Sequence, residues 1–167
     1  MHGICITEKL SGTFNGVDLV SVRYMVGNTP TAIDNGSVVE VGALEANSRE
    51  VCKATAPKKN SAKAAIALIA SPGVIYDERL QNDLGNFENE ANAVSRGYLL
   101  EKPHQIFAVT GEVLDGDTAR IVGAAVELQD GTKLLAVATN TQGSTKIGEI
   151  IEVFTKKGKT YYAIETC

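Results

Sequence analysis

Short β-type runs separated by Gly, Asn and Asp turns are the feature that most constrains the fold of this chain. Residues 17 to 26 read Val-Asp-Leu-Val-Ser-Val-Arg-Tyr-Met-Val, and this alternation of apolar and polar side chains has the period of a half-buried strand. Asp34-Asn35-Gly36 predicts a turn, and strands are predicted after it at Ser37–Val41 and Arg49–Thr55. The apolar run Ile66–Ala70 is short and closely precedes a proline, which favours a buried strand.

The C-terminal part of the chain shows the same pattern. Strands are predicted at Tyr98–Leu100 and Gln105–Glu112. Two further pairs of β-type runs flank the turn sequences Asp130-Gly131 and Lys157-Gly158, and each pair predicts a hairpin. Many short strands at this spacing indicate a mainly β fold, which would be a small barrel or sandwich of short antiparallel strands.

Residues 77–95 differ from both flanks because their apolar side chains recur at spacings of three and four, which is helical periodicity. The apolar positions are Leu80, Leu84, Phe87, Ala91 and Val94. One glycine and four asparagines in this segment weaken the helical pattern. We therefore predict one or two short helical pieces near residues 77–95, with the apolar stripe packed into the core.

A β-rich body is predicted for residues 27–167. A faint repeat lies within it, because the stretch beginning Gly36-Ser-Val-Val-Glu-Val is similar to the one beginning Gly123-Ala-Ala-Val-Glu-Leu. The repeat favours two related β-units at about residues 34–72 and 98–167. Chance similarity between hairpins explains it nearly as well.

Residues 1–26 are predicted to form either an N-terminal arm or the first strand of the body's own sheet. As an arm, the extended stretch at Val17–Val26 could add a strand to the sheet of a neighbouring subunit. Phe14, Tyr24 and Met25 are then the candidate interface residues, since aromatic and Met side chains are enriched in interface cores.

Charge and composition exclude several classes of protein. The net charge is −4, from 16 basic and 20 acidic residues, and no basic stripe is present, so we expect no nucleic-acid binding. No apolar run reaches the roughly 18 residues of a membrane helix, and the first residues lack a secretion-signal pattern, so we expect a cytoplasmic origin and no membrane insertion. Cys5, Cys52 and Cys167 are odd in number and far apart, which argues against a disulfide framework.

Side chains suited to catalysis or metal binding are few. His2 lies near the N-terminus and His104 in an apparent loop, and neither belongs to a recognisable nucleophile–base motif. His2 and Cys5 have the spacing of a zinc-ligand pair, but the sequence offers no second pair. Asp115-Gly116-Asp117 lacks the further acidic positions of a calcium loop and indicates a turn. We therefore expect no enzymatic activity, with no catalytic residue, no cofactor and no metal.

Several stretches carry a resemblance to a known group of proteins, and they are Asp34–Gly42 with Arg49–Ala54, Ile69–Glu78, Ile106–Glu112 and Gly143–Glu152. Together they resemble small head-associated, decoration-type proteins that tailed bacteriophages of Gram-positive hosts encode near the major capsid protein. The resemblance covers roughly residues 17 to 165, leaves out Met1–Gly12, and consists of strand and turn patterns.

This resemblance implies a non-enzymatic virion protein that binds the capsid surface and decorates or stabilises the head. The implied partners are the major capsid protein and further copies of the same chain. The implied location is the capsid of the virion, after synthesis in the bacterial host cytoplasm. The alternative is a β-barrel module that binds a carbohydrate or a receptor, although the absence of Trp weakens the carbohydrate version.

Overall fold

The computed structural model describes residues 1–167, which form thirteen β-strands and six isolated 3-10 turns. Strands make up 43% of the chain, so the predicted mainly β fold is confirmed. In chain order the strands are β1 (Cys5–Lys9), β2 (Leu19–Val26), β3 (Thr29–Pro30), β4 (Val38–Leu44), β5 (Val51–Thr55), β6 (Ile66–Ile69), β7 (Ser95–Leu99), β8 (Ile106–Thr110), β9 (Leu114–Asp115), β10 (Ala125–Leu128), β11 (Leu134–Val137), β12 (Lys146–Lys156) and β13 (Lys159–Thr166).

Five strands close into a barrel in the order β2-β5-β4-β6-β7, because β7 pairs with β2 as well as with β6. The short strand β3 extends the far end of β2. Most pairs are antiparallel, but β2 runs parallel to β5 and β9 runs parallel to β11. The prediction of antiparallel strands is corrected at these two pairs, because β2 and β5 are separated by two intervening strands and are not joined by a hairpin.

Apolar side chains at alternate positions of the strands fill the barrel interior. On β2, Val22 is fully buried while its neighbours Ser21 and Arg23 are partly exposed, as the period of two requires. The interior cluster consists of small and branched side chains, namely Val22, Ile33, Val39, Ala54, Ala67 and Ile69. A barrel of only five strands is narrow, which is why so few side chains fill it.

The other seven strands form one sheet in the order β1-β8-β13-β12-β10-β11-β9. Both predicted hairpins are present in it, with Leu128 opposite Leu134 in one and Lys156 opposite Lys159 in the other. At the tip of the second hairpin Lys157 and Gly158 have φ values of 50° and 74°. Two successive positive φ angles are typical of the tight turns that match the twist of paired strands.

The main core lies between the barrel and the seven-stranded sheet, and 19 buried residues form it. On β6, Ile66 and Leu68 face this core while Ala67 and Ile69 face the barrel interior, so all four residues are buried. The buried strand predicted at Ile66–Ala70 is thus confirmed, and its unbroken apolar run follows from burial on both faces. Within residues 34–72 the strands belong to the barrel, and from β8 onward they belong to the seven-stranded sheet.

Residues 77–95 depart from the predicted packing. They contain one short helical piece, the 3-10 turn Leu84–Asn86, and otherwise consist of turns, a single bridge and the first residue of β7. The other five 3-10 turns lie elsewhere in the chain. The predicted burial of the apolar stripe is wrong, because Leu80, Leu84 and Val94 are exposed. The chain has no helix of the length and apolar character needed to cross a bilayer.

Candidate functional site

The most distinctive surface of the molecule is the connection between β6 and β7, residues 71–94, which we call the acidic loop. Strand pairing in it is limited to the bridge between Asn89 and Ile33. Connections of this length without their own secondary structure are uncommon in compact domains, and ordered ones usually serve a function. The loop is therefore a candidate binding site.

The net negative charge of the chain comes from the acidic loop. The loop contains five acidic residues and one basic residue, Arg79, and its net charge of −4 equals that of the whole chain. Acidic and basic residues balance in the remaining sequence. The acidic residues of the loop are Asp77, Glu78, Asp83, Glu88 and Glu90. The loop therefore gives an otherwise neutral molecule one negative face.

Apolar side chains stand on the same loop. Tyr76 is 92% exposed, and four aliphatic side chains are also exposed, namely Val74, Leu80, Leu84 and Val94. All of them except Leu84 border a groove of about 660 Å³, which Pro72, Phe87, Glu88 and Glu90 also line. Contiguous exposed apolar groups with a polar rim mark interaction sites on protein surfaces.

A buried amide network holds the base of the acidic loop. The side-chain NH₂ of Asn89 donates to the carbonyl oxygen of Ile33 and to Oδ1 of Asn35, both at 3.0 Å. Asn35 in turn exchanges hydrogen bonds with the backbone of Ser71, at 2.9 and 3.0 Å. Both ends of the loop are thus tied to the turn at Asn35, and the exposed part projects from a fixed base.

Three side chains meet beside this base, and we call them the His2 cluster: His2, Asp34 and Glu88. His2 Nδ1 lies 2.8 Å from Asp34 Oδ1 and 3.7 Å from Glu88 Oε2. One ligand-type atom from each residue lies within 4.8 Å of the other two. Imidazole nitrogen and carboxylate oxygen are common metal ligands, so the cluster could hold a divalent cation.

The other sequence candidates lie apart from this cluster. Cys5 packs against the main core, and burial raises the pKa of its thiol to about 12. His104 is an exposed residue paired with Glu165 at 2.9 Å. Asp115 accepts a hydrogen bond from Gln129 at 2.7 Å, and Asp117 pairs with Arg120 at 2.5 Å. The structure therefore does not bring Cys5 to His2, and Asp115 and Asp117 have separate partners.

The three predicted interface residues have different surroundings. Phe14 is 86% exposed, next to a 3-10 turn. Tyr24 is half-buried against the barrel interior, and this burial raises the pKa of its phenol. Met25 lies opposite Pro30 at the end of β2. From Ser21 to Val22, β2 is paired on both sides, so it has no free edge there for a strand from another chain.

Sequence reasoning did not identify the acidic loop as a site, although the signal was present. Five acidic residues and one basic residue within residues 71–94 are visible by counting, but the predicted helix placed the apolar side chains in the core. No sequence pattern marks the His2 cluster, because its members are more than thirty positions apart and only the folded chain brings them together.

Comparisons with known proteins provide no relative. No protein-family model matches the chain, and no curated protein and no solved structure matches it either.

Proposed function

We propose that this chain is a non-enzymatic virion structural protein that binds the capsid surface of a tailed bacteriophage and decorates or stabilises the head. The observation that carries the proposal is the acidic loop, which presents exposed apolar side chains and the whole net charge on a fixed base. A decoration protein needs a rigid body and one adhesive surface. The barrel, the sheet and the loop meet these two requirements.

The loop also defines the partner surface that would fit it. Tyr76 and Leu80 are suited to fill an apolar pocket, since hot spots of interfaces are enriched in aromatic side chains surrounded by polar ones. The acidic side chains around them favour a basic rim on the partner, which would steer association and fix its register. The proposed partner is the major capsid protein, with a basic and partly apolar patch on its outer face.

Association between copies of the chain is part of the same proposal. Strand β1 terminates the seven-stranded sheet and pairs only with β8, so its outer edge carries unpaired backbone groups. Pairing between β1 strands of two copies would give a symmetric contact of the isologous type. The proposed location is the assembled virion, after synthesis in the host cytoplasm.

Co-sedimentation with capsids of the encoding phage, stripped of this protein, tests the proposal. Wild-type protein is expected to pellet with the capsids at a fixed ratio to the major capsid protein. The double substitution Tyr76→Ser and Leu80→Ser is expected to abolish this, while Ile121→Ser, at an exposed apolar residue outside the loop, keeps it. Failure of the wild-type protein to pellet with the stripped capsids at any salt concentration would contradict the capsid proposal.

A second candidate function, binding of a carbohydrate or a receptor, is favoured by one feature of the groove. An exposed tyrosine stands beside acidic and amide side chains in a space of about 660 Å³, which suits a small ligand. Titration with a panel of host cell-wall oligosaccharides distinguishes the two functions. Saturable binding that Tyr76→Ser removes, without capsid binding, would favour this second function.

A further inference from the structure

The geometry points to a binding site for a divalent transition-metal cation, such as Zn²⁺, formed by His2, Asp34 and Glu88. We propose that the cation fastens the N-terminus and the acidic loop to the barrel. The proposal stands apart from capsid binding, because it concerns the base of the loop and not its exposed tip.

The spacing of the three ligand atoms suits one small cation. Zinc bonds to imidazole nitrogen and carboxylate oxygen are about 2.0–2.2 Å long, so two ligand atoms on the same ion lie roughly 3–3.5 Å apart. The distances from His2 Nδ1 are 2.8 Å to the Asp34 oxygen and 3.7 Å to the Glu88 oxygen, on either side of that range. The Asp34 and Glu88 oxygens lie within 4.8 Å of each other, so small side-chain shifts would place all three atoms around a cation.

The backbone beside each ligand is already fixed. Asp34 precedes the buried Asn35, and its second oxygen, Oδ2, accepts a hydrogen bond from the Gly3 N–H at 3.0 Å. Glu88 precedes Asn89, which belongs to the buried amide network. The backbone N–H of His2 donates to the carbonyl oxygen of Gly85 at 2.8 Å. The three ligands therefore come from three separate segments whose relative positions are set before any cation binds.

Gly3 is required for this approach of the N-terminus to the turn at Asp34. A Cβ at position 3 would lie 2.7 Å from the Asn35 carbonyl oxygen and 2.4 Å from a methyl group of Val113. Any other residue at position 3 would therefore force a shift of the N-terminal segment or of the backbone at Asn35.

The electrostatics of the cluster differ from those of Asp77 and Asp83 in the loop. Asp77 pairs with Arg79, and Asp83 pairs with Lys159 at 3.2 Å. The backbone N–H of Gly85 and then Lys159 lower the pKa of Asp83. Asp34 and Glu88 converge without a Lys or Arg partner, and His2 is the only basic group in contact with either. A divalent cation would neutralise both carboxylates.

The ligand types select the class of metal. One imidazole and two carboxylates suit zinc, manganese and similar transition ions, whereas calcium prefers six or more oxygen ligands. Three protein ligands leave at least one position for water. Because such an ion binds only the folded arrangement, it also stabilises that arrangement by linkage.

Isothermal titration of the full chain with Zn²⁺, after removal of metal with EDTA, tests the site. All samples carry Cys167→Ser, because the exposed thiol could itself bind zinc. We expect one equivalent of Zn²⁺ to bind and the Tm to rise by several degrees. His2→Ala and Glu88→Gln are expected to lower the affinity by at least about tenfold, which is the effect of losing even an outer partner of a metal ligand.

Two variants serve as matched controls. His104→Ala removes the other histidine–carboxylate pair, which has a similar distance but no second carboxylate nearby. Glu90→Gln removes one charge from the same loop without touching the cluster. Both are expected to bind Zn²⁺ like the parent protein. No binding by the parent, or equal loss in His104→Ala and His2→Ala, would overturn the proposal. Circular dichroism confirms that each variant is folded, and Mg²⁺ replaces Zn²⁺ in a parallel titration to check selectivity.

Discussion

Strand β6 buries four consecutive apolar side chains, whereas the acidic loop that follows it in the chain leaves comparable side chains at the surface. The difference lies in the backbone. In β6 the backbone pairs with β4 and β7, so both faces of the strand can be covered. In the loop, glycine and asparagine favour turns, and most of the backbone hydrogen bonds join residues close in sequence. The comparison teaches that stability belongs to the barrel-and-sheet body and that the loop is available for binding.

The largest expected loss of stability comes from truncating a side chain in the core of the body. Phe107 is among the largest fully buried side chains and lies in the main core between the two sheets. Phe107→Ala is expected to lower the free energy of unfolding by about 3–5 kcal/mol, because it removes burial and leaves a cavity. Urea denaturation followed by circular dichroism measures the free energy of unfolding. The matched control Phe14→Ala should stay within about 0.5 kcal/mol of wild type; equal losses in the two variants would refute the assignment of the core.

Loss of the amide network at the base of the loop should have the next largest effect. Asn89→Ala removes one of the two donors to the Ile33 carbonyl and one of the two donors to Asn35 Oδ1, so these buried oxygens keep only the backbone N–H groups of residue 89 and Ser71. A cost of about 1–3 kcal/mol is expected for the loss of these two buried hydrogen bonds. Hydrogen exchange should also speed up throughout residues 71–94. Asn82→Ala is the control, since Asn82 is exposed and should change neither quantity. Unchanged exchange in Asn89→Ala would mean that the network does not fix the loop.

The barrel-and-sheet body was more predictable from sequence than the loop, because its strands and turns are signalled by short stretches of the chain. Alternation along β2 and the turn residues at Asp130-Gly131 and Lys157-Gly158 are local signals, and the strands and hairpins they predicted are present. Closure of the barrel depends on pairing between Leu19 and Tyr98, almost eighty positions apart, and no local pattern encodes that pairing. For the same reason, the sequence did not predict that β2 pairs with β5 in parallel.

Prediction was weakest in residues 77–95, where two signals conflicted. Apolar side chains at helical spacing favoured a helix, while Gly85 and the asparagines favoured turns. The turns prevailed because this stretch has no covering element to bury an apolar stripe, and helices depend mostly on such packing.

The contribution of Asp18 in the body to stability should depend on pH. Asp18 in the body accepts hydrogen bonds from Lys102, at 2.5 Å, and from Ser11, and these contacts lower its pKa below the ordinary value of 3.8. A carboxylate with a lowered pKa stabilises the fold above its ordinary pKa, and this contribution is lost as the pH falls through the folded-state value.

The expected result is a Tm for Asp18→Asn that lies below wild type at pH 7 and approaches it below pH of about 3. Thermal melts at a series of pH values measure the gap. Glu78→Gln, a change of the same kind at an exposed loop residue without an ion pair, should melt close to wild type at neutral pH. A gap for Asp18→Asn that is constant across the pH series would show that the ionised carboxylate is not responsible.

The smallest effect on stability is expected for a substitution in the exposed part of the loop, where the expected effect on binding is greatest. Two tyrosines, one in the core and one in the loop, test this. Tyr98 lies in the main core and is 7% exposed, whereas Tyr76 in the loop is 92% exposed. Tyr98→Ser should cost several kcal/mol, as for other large-to-small changes in a core, while Tyr76→Ser should change the free energy of unfolding by less than about 0.5 kcal/mol. Urea denaturation of both variants, beside capsid co-sedimentation of Tyr76→Ser, measures the two properties separately. If Tyr76→Ser lost stability and binding in parallel, the loop would be part of the folded core, and the division between a stable body and a binding loop would fail.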